Sequence, residues 1–456
     1  MKKILLLLLI STSLNSFAQP NCFTVSSTGF STASSGLSSI SAPTDNIVWV
    51  SRPSGDPITN REISVSTDGG VTFTPKVCTL PPTTGNAVAI SNVCGIDATT
   101  GYVACHGTGA GIWKTTNAGT TWVKQTTALY NDSAGDSFPN FVYFWDANNG
   151  VTMGDPAGGY FEIYTTTNGG TNWVRTPSSA IPAFLTPPAP ETYREYGLTN
   201  QFTVTGNTIW LGTTFGRILK STDKGLTWTF IETPVIAFSG GVGTPGPAGF
   251  NANMDWKNDM IGTITDSDFN YWRTTDGGVT WIQDFNGIPQ NFDFAYVPGT
   301  ASTVVCTGDD INDAGRYNSY SFDDGLTWER CAQSAGSFGG ILEIRSSTVG
   351  WLSGFTTSSS VGGIWRMTGP QLPTSSFVSN KSVNISPNPA TSNLSINGIN
   401  ISQVQITDML GKVIFNNNYS SIGNLDVNIG SFNSGIYLVK VTNNDGISTT
   451  EKVIKQ

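Results

Sequence analysis

Histidine is almost absent from this 456-residue sequence: His106 stands alone. That excludes a histidine-rich metal centre. No Cys-x-x-Cys pair supplies the thiolate alternative, so neither a metal nor a cofactor is expected. Charge is also scarce. Only 12% of residues are Asp, Glu, Lys or Arg, the net charge is −9, and no run of Lys or Arg exceeds two residues. Neutralising phosphates needs a basic face, so a nucleic-acid partner is excluded. Few long charged side chains also argue against exposed helices. After the first 20 residues no apolar run is long enough to cross a bilayer, so the mature chain is expected to lack a transmembrane segment. What remains is 51 glycines amid abundant Ser, Thr and Asn, a composition suited to turn-rich β structure.

The opening "MKKILLLLLISTSLNSFAQP" carries Lys2 and Lys3, an apolar core from Ile4 to Ile10, and a small-x-small ending at Ser16–Ala18. It reads as a secretory signal peptide, residues 1–18, cut to expose Gln19. Export permits disulfides among Cys22, Cys78, Cys94, Cys105, Cys306 and Cys331. Sequence does not choose among the 15 pairings. Cys94 and Cys105, flanking "GIDATTGYVA", are the local candidate pair.

One motif recurs six times: "STDGGVTF", "TTNAGTTW", "TTNGGTNW", "STDKGLTW", "TTDGGVTW" and "SFDDGLTW". Its acidic or amide position falls at Asp68, Asn117, Asn168, Asp223, Asp276 and Asp323, spaced 49, 51, 55, 53 and 47 residues apart. Repetition in this range with short strands means a solenoid or a propeller. A short apolar strand after a polar turn precedes each box, and it occurs a seventh time as "STVGWLSG" at 347. There "GGIWRMTGP" follows, without a box or a final strand. The strand-like "NCFTVSST" at 21–28 is positioned to supply the missing strand and close the ring. The expected fold is all-β, a seven-bladed β-propeller over residues 20–370. Within each box, Asp is expected to accept hydrogen bonds from its own turn, and Trp (Phe73 in the first copy) to pack on the neighbouring blade. Burying such an aromatic is worth about 2–3 kcal/mol. Asn117 and Asn168 cannot transfer a proton, so these six positions are read as architecture, not chemistry.

These boxes resemble the Asp-box (bacterial neuraminidase, BNR) repeats of sialidases, xyloglucanases and photosystem II assembly-factor-like propellers. The run "MGDPAGGYFEIYTTTNGGTNW" at 153–173 is most similar to the last group. The resemblance implies fold more than function.

A Pro/Ser linker at 371–381 precedes a different pattern over 382–456, where short alternating strands end in turn signals and suit a small C-terminal β-sandwich (Ig-like) domain. Pro387-Asn388-Pro389, Asp408 to Lys412 including Gly411, and Gly435 to Lys440 including Tyr437 resemble the type A C-terminal sorting domain of the type IX secretion system. The resemblance implies export across the outer membrane, removal of this domain at the linker, and release or attachment at the cell surface.

Loops between second and third strands, and between blades, form the face opposite the boxes. Candidate catalytic residues there are Asp155, Asp266, Asp309 and Glu343. Candidate ligand-binding residues are Arg52, Tyr193, Arg194, Tyr196, Arg217 and Arg316. His106, Asp268, Asp310, Asp313 and Glu195 are further polar positions in the same regions, whereas Glu343 and Asp293 are read as inner-strand residues placed to point into the central channel. "DDINDAG" lacks the terminal Glu of a calcium loop. Three functions are weighed. The first is a cell-surface binding module for a glycan or protein. The second is a glycoside hydrolase using two carboxylates about 5–10 Å apart. The third is an assembly scaffold. The Phe-Arg-Ile-Pro motif of sialidases is absent, with Ser51-Arg52-Pro53 a poor substitute. Binding is preferred over catalysis.

Overall fold

The computed structural model describes residues 22–27, 29–30, 37–52, 61–80, 88–107, 109–130, 137–186, 194–235, 238, 253–265, 270–284, 293–310, 315–331, 340–358, 361–367, 383–408, 412–444 and 448–456. The expected signal peptide and linker lie outside these residues. The chain divides into two compact units between residues 373 and 374.

In the first unit seven four-stranded antiparallel sheets follow one another. Their first strands are Ser39–Ser41, Val88–Gly95, Pro139–Phe144, Gly197–Thr205, Met254–Trp256, Asp293–Tyr296 and Leu342–Ile344. Each first strand contacts the next one, and the seventh returns to the first, so the sheets close into a ring of seven blades. Blade 7 draws its outermost strand from the far end of the chain. Phe23–Ser27 pairs with Val361–Met367, with Phe23 opposite Met367 and Val25 opposite Trp365. Closure in this way completes the four-stranded sheet of blade 7 with the chain's first strand, leaving a short outer edge like that of the other blades.

Cys22 and Cys331 form a disulfide, Cα–Cα 5.5 Å, that ties the outer strand of blade 7 to the end of blade 6. The expected Cys94–Cys105 pairing is corrected: both thiols are free and buried. In the blade 2 ladder Cys94 stands opposite Tyr102, while Cys105 stands opposite Ile90. That register sends them to opposite faces, Cys94 into the core shared with blade 3 and Cys105 into the core shared with blade 1.

The box turns join third and outermost strands and pack against the preceding blade. Gly70, at φ +86°, is held so close to Trp351 that a Cβ there would lie 2.5 Å from the indole Nε1. Glycine alone fits that approach. Trp122 joins Ile63 and Val65 of blade 1 in one core cluster, as the aromatic of the box was expected to do.

The second unit is a five-stranded antiparallel sheet around its own core. The long strands Asn393–Asp408 and Val413–Asn428 shift register at several points, and such bulges let one sheet curve into a sandwich-like body.

Candidate functional site

Each box is a self-contained hydrogen-bond circuit. Asp68 Oδ1 accepts from Ser66 Oγ (2.7 Å) and Thr72 N (2.9 Å), while Oδ2 accepts from Thr72 Oγ1 (2.6 Å). Burial opposes ionisation of Asp68, but donors from Thr72 and Ser66 outweigh it and hold the carboxyl at about 2. In the second copy Asn117 Oδ1 accepts from Thr121 N (2.9 Å), and its Nδ2 donates to Thr121 Oγ1 (2.9 Å). The hydroxyl reverses from donor to acceptor, so amide and carboxylate complete the same turn.

A second circuit runs around the axis of the ring. At every blade boundary a polar side chain of one blade hydrogen-bonds the inner strand of the next. Ser39 Oγ accepts from Val93 N (3.0 Å). Asn92 both accepts from Val142 N (2.9 Å) and donates to Val142 O (3.0 Å). Asp155 Oδ1 accepts from Gly197 N (3.1 Å), and Thr203 Oγ1 donates to Asp255. Asp255 Oδ2 accepts from Tyr296 N (2.6 Å), and Asp293 Oδ2 from Leu342 N (2.8 Å). The Glu343 carboxyl takes the N–H of Ala42 in blade 1 and completes the circle.

Asp255, Asp293 and Glu343 therefore sit on the inner strands of three consecutive blades. Each keeps some accessibility, yet a carboxyl partly enclosed by the ring is solvated far less than in bulk water, so desolvation dominates. It raises Asp255, and it raises Asp293 and Glu343 to about 7. Asp255 adds like-charge repulsion to Asp293 and Glu343, while Arg345 partly relieves Glu343.

The axis itself is crossed. Between Gly197 and Phe202 the inner strand of blade 4 departs from its ladder. Asn200, at φ +56°, lies on this bulge and donates from Nδ2 to Ser38 O of blade 1 (3.2 Å).

The described parts of the 177–197 insertion, residues 177–186 and 194–197, are tied together by one buried carboxylate. Glu195, fully buried, accepts from Thr213 Oγ1 (2.6 Å), Leu185 N (2.9 Å) and Arg217 Nε (3.1 Å), with a further bond from Arg217 Nη2. Arg217 also lies 3.5 Å over the Phe230 ring. Its guanidinium is committed to holding the insertion, unlike the ligand-binding role expected of it. Arg194 and Tyr196 come together at the rim. Arg194 lies 5.5 Å from the Tyr196 ring and 5.9 Å from that of Phe184, and donates to Pro156 O (3.0 Å). Arg175 covers Tyr160 at 4.3 Å and donates to Ala157 O. The two guanidiniums thus grip one turn of blade 3, residues 156–160.

The remaining candidates separate. Asp155 also accepts from Asn140 Nδ2 (2.9 Å). Arg52 sits 3.8 Å from buried Glu62. His106 stacks on Phe138 at 4.1 Å and bonds Ser91 Oγ (2.9 Å). Asp309 stands opposite Arg316 in the blade 6 ladder, but their side chains, like that of Asp310, lie outside the described set. Tyr193, Asp266, Asp268 and Asp313 lie outside the described residues. Sequence reasoning singles out neither Asp255 nor Arg175. The alternation in "MDW", with Asp255 between two core residues of the first strand of its blade, is the available signal.

In the second unit the motif residues hold the C-terminal strand. Asn388 donates to Lys452 O (2.7 Å) and accepts from Ile454 N (2.9 Å), while Asp408 closes its turn on Lys412 N (3.0 Å). Tyr437 is buried and donates to Asn433 O (2.9 Å). Pro387 and Pro389 flank Asn388, both after cis peptides, and Gly435 opens the strand Gly435–Asn443; Gly411 is outside the described residues.

Residues 384–456 match the family described as "Secretion system C-terminal sorting domain". The chain therefore carries a type IX sorting domain and is exported to the cell surface or beyond. No curated protein matches the sequence. Among solved structures, "YCF48 bound to D1 peptide" aligns at 15% identity, covering 77% of this chain and 98% of that one, with a TM-score of 0.49. YCF48 from Cyanidioschyzon merolae aligns at 15% identity over 76% of this chain and 99% of that one, TM-score 0.45. The GH74 enzyme of Niastella koreensis aligns at 13% identity over 90% of this chain and 66% of that one, TM-score 0.25. None of these similarities bears on ligand or activity. Among the described residues, no helix is long and apolar enough to cross a membrane.

Proposed function

We propose that the exported propeller is a binding module, not a hydrolase, and that its ligand is a glycan seated on the rim of blades 3 and 4. The observation that carries this reading is the division of labour between axis and rim. Asp155, Asp255, Asp293 and Glu343 each accept a hydrogen bond from the next blade or from within the ring, and Asn200 spans the axis beside them. A hydrolase needs two carboxyls facing a sugar and free to exchange protons with it. The rim offers what sugar recognition needs. Tyr160, Phe184 and Tyr196 present ring surface beside Arg175 and Arg194, on a turn whose backbone is already gripped. The Asp and Asn residues of the boxes belong to architecture in this reading.

The test is a glycan array probed with the full chain, beside a screen for turnover of glycosidic substrates. Binding lost on changing Tyr160 or Tyr196 to Ala, without turnover, supports the proposal. Turnover abolished by Glu343→Gln or Asp155→Asn would refute it in favour of the hydrolase.

A further inference from the structure

The C-terminal unit has a surface that its own fold leaves unexplained. In a sheet covered on one side, apolar and polar residues alternate, whereas a strand covered on both sides reads as a continuous apolar run. The strand Gly435–Asn443, "GIYLVKVTN", reads as the second kind over the run Ile436 to Val439, and alternation returns at Lys440. Its Tyr437, Val439 and Val441 enter the core, as alternation requires. Ile436 and Leu438 point the other way and stay 39% and 37% exposed. The ladder extends this patch. Ile436 stands opposite Ile454, itself 38% exposed, and Leu438 stands opposite Lys452 on one side and Thr407 on the other. Thr407 in turn stands opposite Val413, 48% exposed. Exposed Lys440 and Lys452 flank the patch.

We infer that this outer face, built on Ile436, Leu438, Ile454, Lys440 and Lys452, is the docking surface for a component of the secretion apparatus that presents an apolar centre ringed by carboxylates. The sorting-domain match requires that some surface of residues 384–456 be read by that apparatus. The face combines the two features of an interface core and rim: clustered aliphatic side chains, and charges of one sign around them. Lysines at the rim orient an acidic partner and raise its encounter rate. The opposite face of the sheet is already spent on the domain's own core.

The experiment follows the full chain in cells that possess the type IX apparatus, measuring the fraction outside the cell against that held in the periplasm. One variant carries Leu438→Asn with Ile454→Asn, a second Lys440→Glu with Lys452→Glu, and a third Lys440→Arg with Lys452→Arg. Purified chains are melted to verify folding; should the first variant fail to fold, the charge reversal decides. The inference expects at least a tenfold loss of export for the first two and near-parental export for the third. Export within twofold of the parent in both of the first two would overturn it. A dimer of the parent that Leu438→Asn dissociates would assign the face to a second copy instead. A fall in the melting temperature of the propeller on charge reversal would assign it to the chain's own first unit. Either result also overturns it.

Discussion

Two arcs of the ring solve the same problem with different chemistry. From blade 1 to blade 3 the blades are joined at the axis by neutral groups, Ser39 and Asn92. From blade 5 back to blade 1 they are joined by Asp255, Asp293 and Glu343. The second arc also contains the seam where the chain closes on itself, and the Cys22–Cys331 disulfide crosses it there. An amide satisfies a neighbouring strand with no ionisation cost. A carboxyl does so only by remaining neutral or by bearing a buried charge. The acidic arc is therefore the part of the ring whose cohesion depends on solution conditions, and it is the part reinforced by a covalent strap.

The largest expected effect breaks that strap. Cys22 and Cys331 are 309 residues apart, so the cross-link removes much chain entropy from the unfolded state, worth about 5–6 kcal/mol in the chain-entropy limit. Cys331→Ser should lower the unfolding free energy in urea by an amount of that order, and reduction of the parent should reproduce it. Equal stability with and without the bond would remove the acidic arc's special dependence on it. Next in size is the neutral arc. Asn92→Ala strands both the N–H and the C=O of Val142, costing about 2–4 kcal/mol at any pH between 5 and 8. A pH-dependent loss would contradict the neutral chemistry assigned to that arc.

How much of this is legible in the sequence follows from the range of each interaction. The box spacing and the unfinished seventh unit reveal seven blades and the closing strand at Phe23–Ser27, because each repeat is a local pattern. The sorting motifs are equally local. The axis is only partly readable. Asp293 and Glu343 can be recognised as inner-strand residues, but their N–H partners on Leu342 and Ala42 depend on ring geometry that no segment encodes alone. The Asn200 bulge escapes notice because the extra residues in blade 4 leave no mark on its apolar alternation. Arg217 reads as a ligand contact because its partner Glu195, 22 residues away, reaches it only once the insertion folds back. The disulfide is hidden for the same reason, its two halves being brought together by ring closure.

The acidic arc gives a pH prediction with a definite sign. Asp293 and Glu343 have ordinary values of 3.8 and 4.5, and desolvation lifts both to about 7 in the folded ring. A raised carboxyl favours the folded state while protonated. Its contribution is complete below about 4, and it is lost as the pH rises through about 7. The parent should therefore melt higher at pH 5 than at pH 8. Asp293→Asn with Glu343→Gln should raise the melting temperature at pH 8 and flatten the difference. A tenfold difference in proton affinity between folded and unfolded chain corresponds to about 1.4 kcal/mol, so even a fraction of this rise is measurable. A double variant that keeps the parental pH slope would move the titration elsewhere.

The smallest effect tests whether carboxylate and amide are equivalent where both are exposed to solvent. Asp223 accepts from Ser221 Oγ (2.8 Å), Thr227 N (2.9 Å) and Thr227 Oγ1 (2.6 Å). Burial opposes its ionisation, but those donors lower its value overall. Asn168 and Asn117 already complete the same turn in two other blades. Asp223→Asn should then change stability by no more than about 0.5 kcal/mol at pH 7, as the Thr227 hydroxyl turns to accept from the amide. Exchanging the same two groups at Asp293 should be strongly pH-dependent, because there desolvation lifts the carboxyl to about 7. If the box substitution proved as costly as the axial one, the environment around each carboxyl, and not its chemistry, would cease to explain why one circuit tolerates both residues while the other differs from arc to arc.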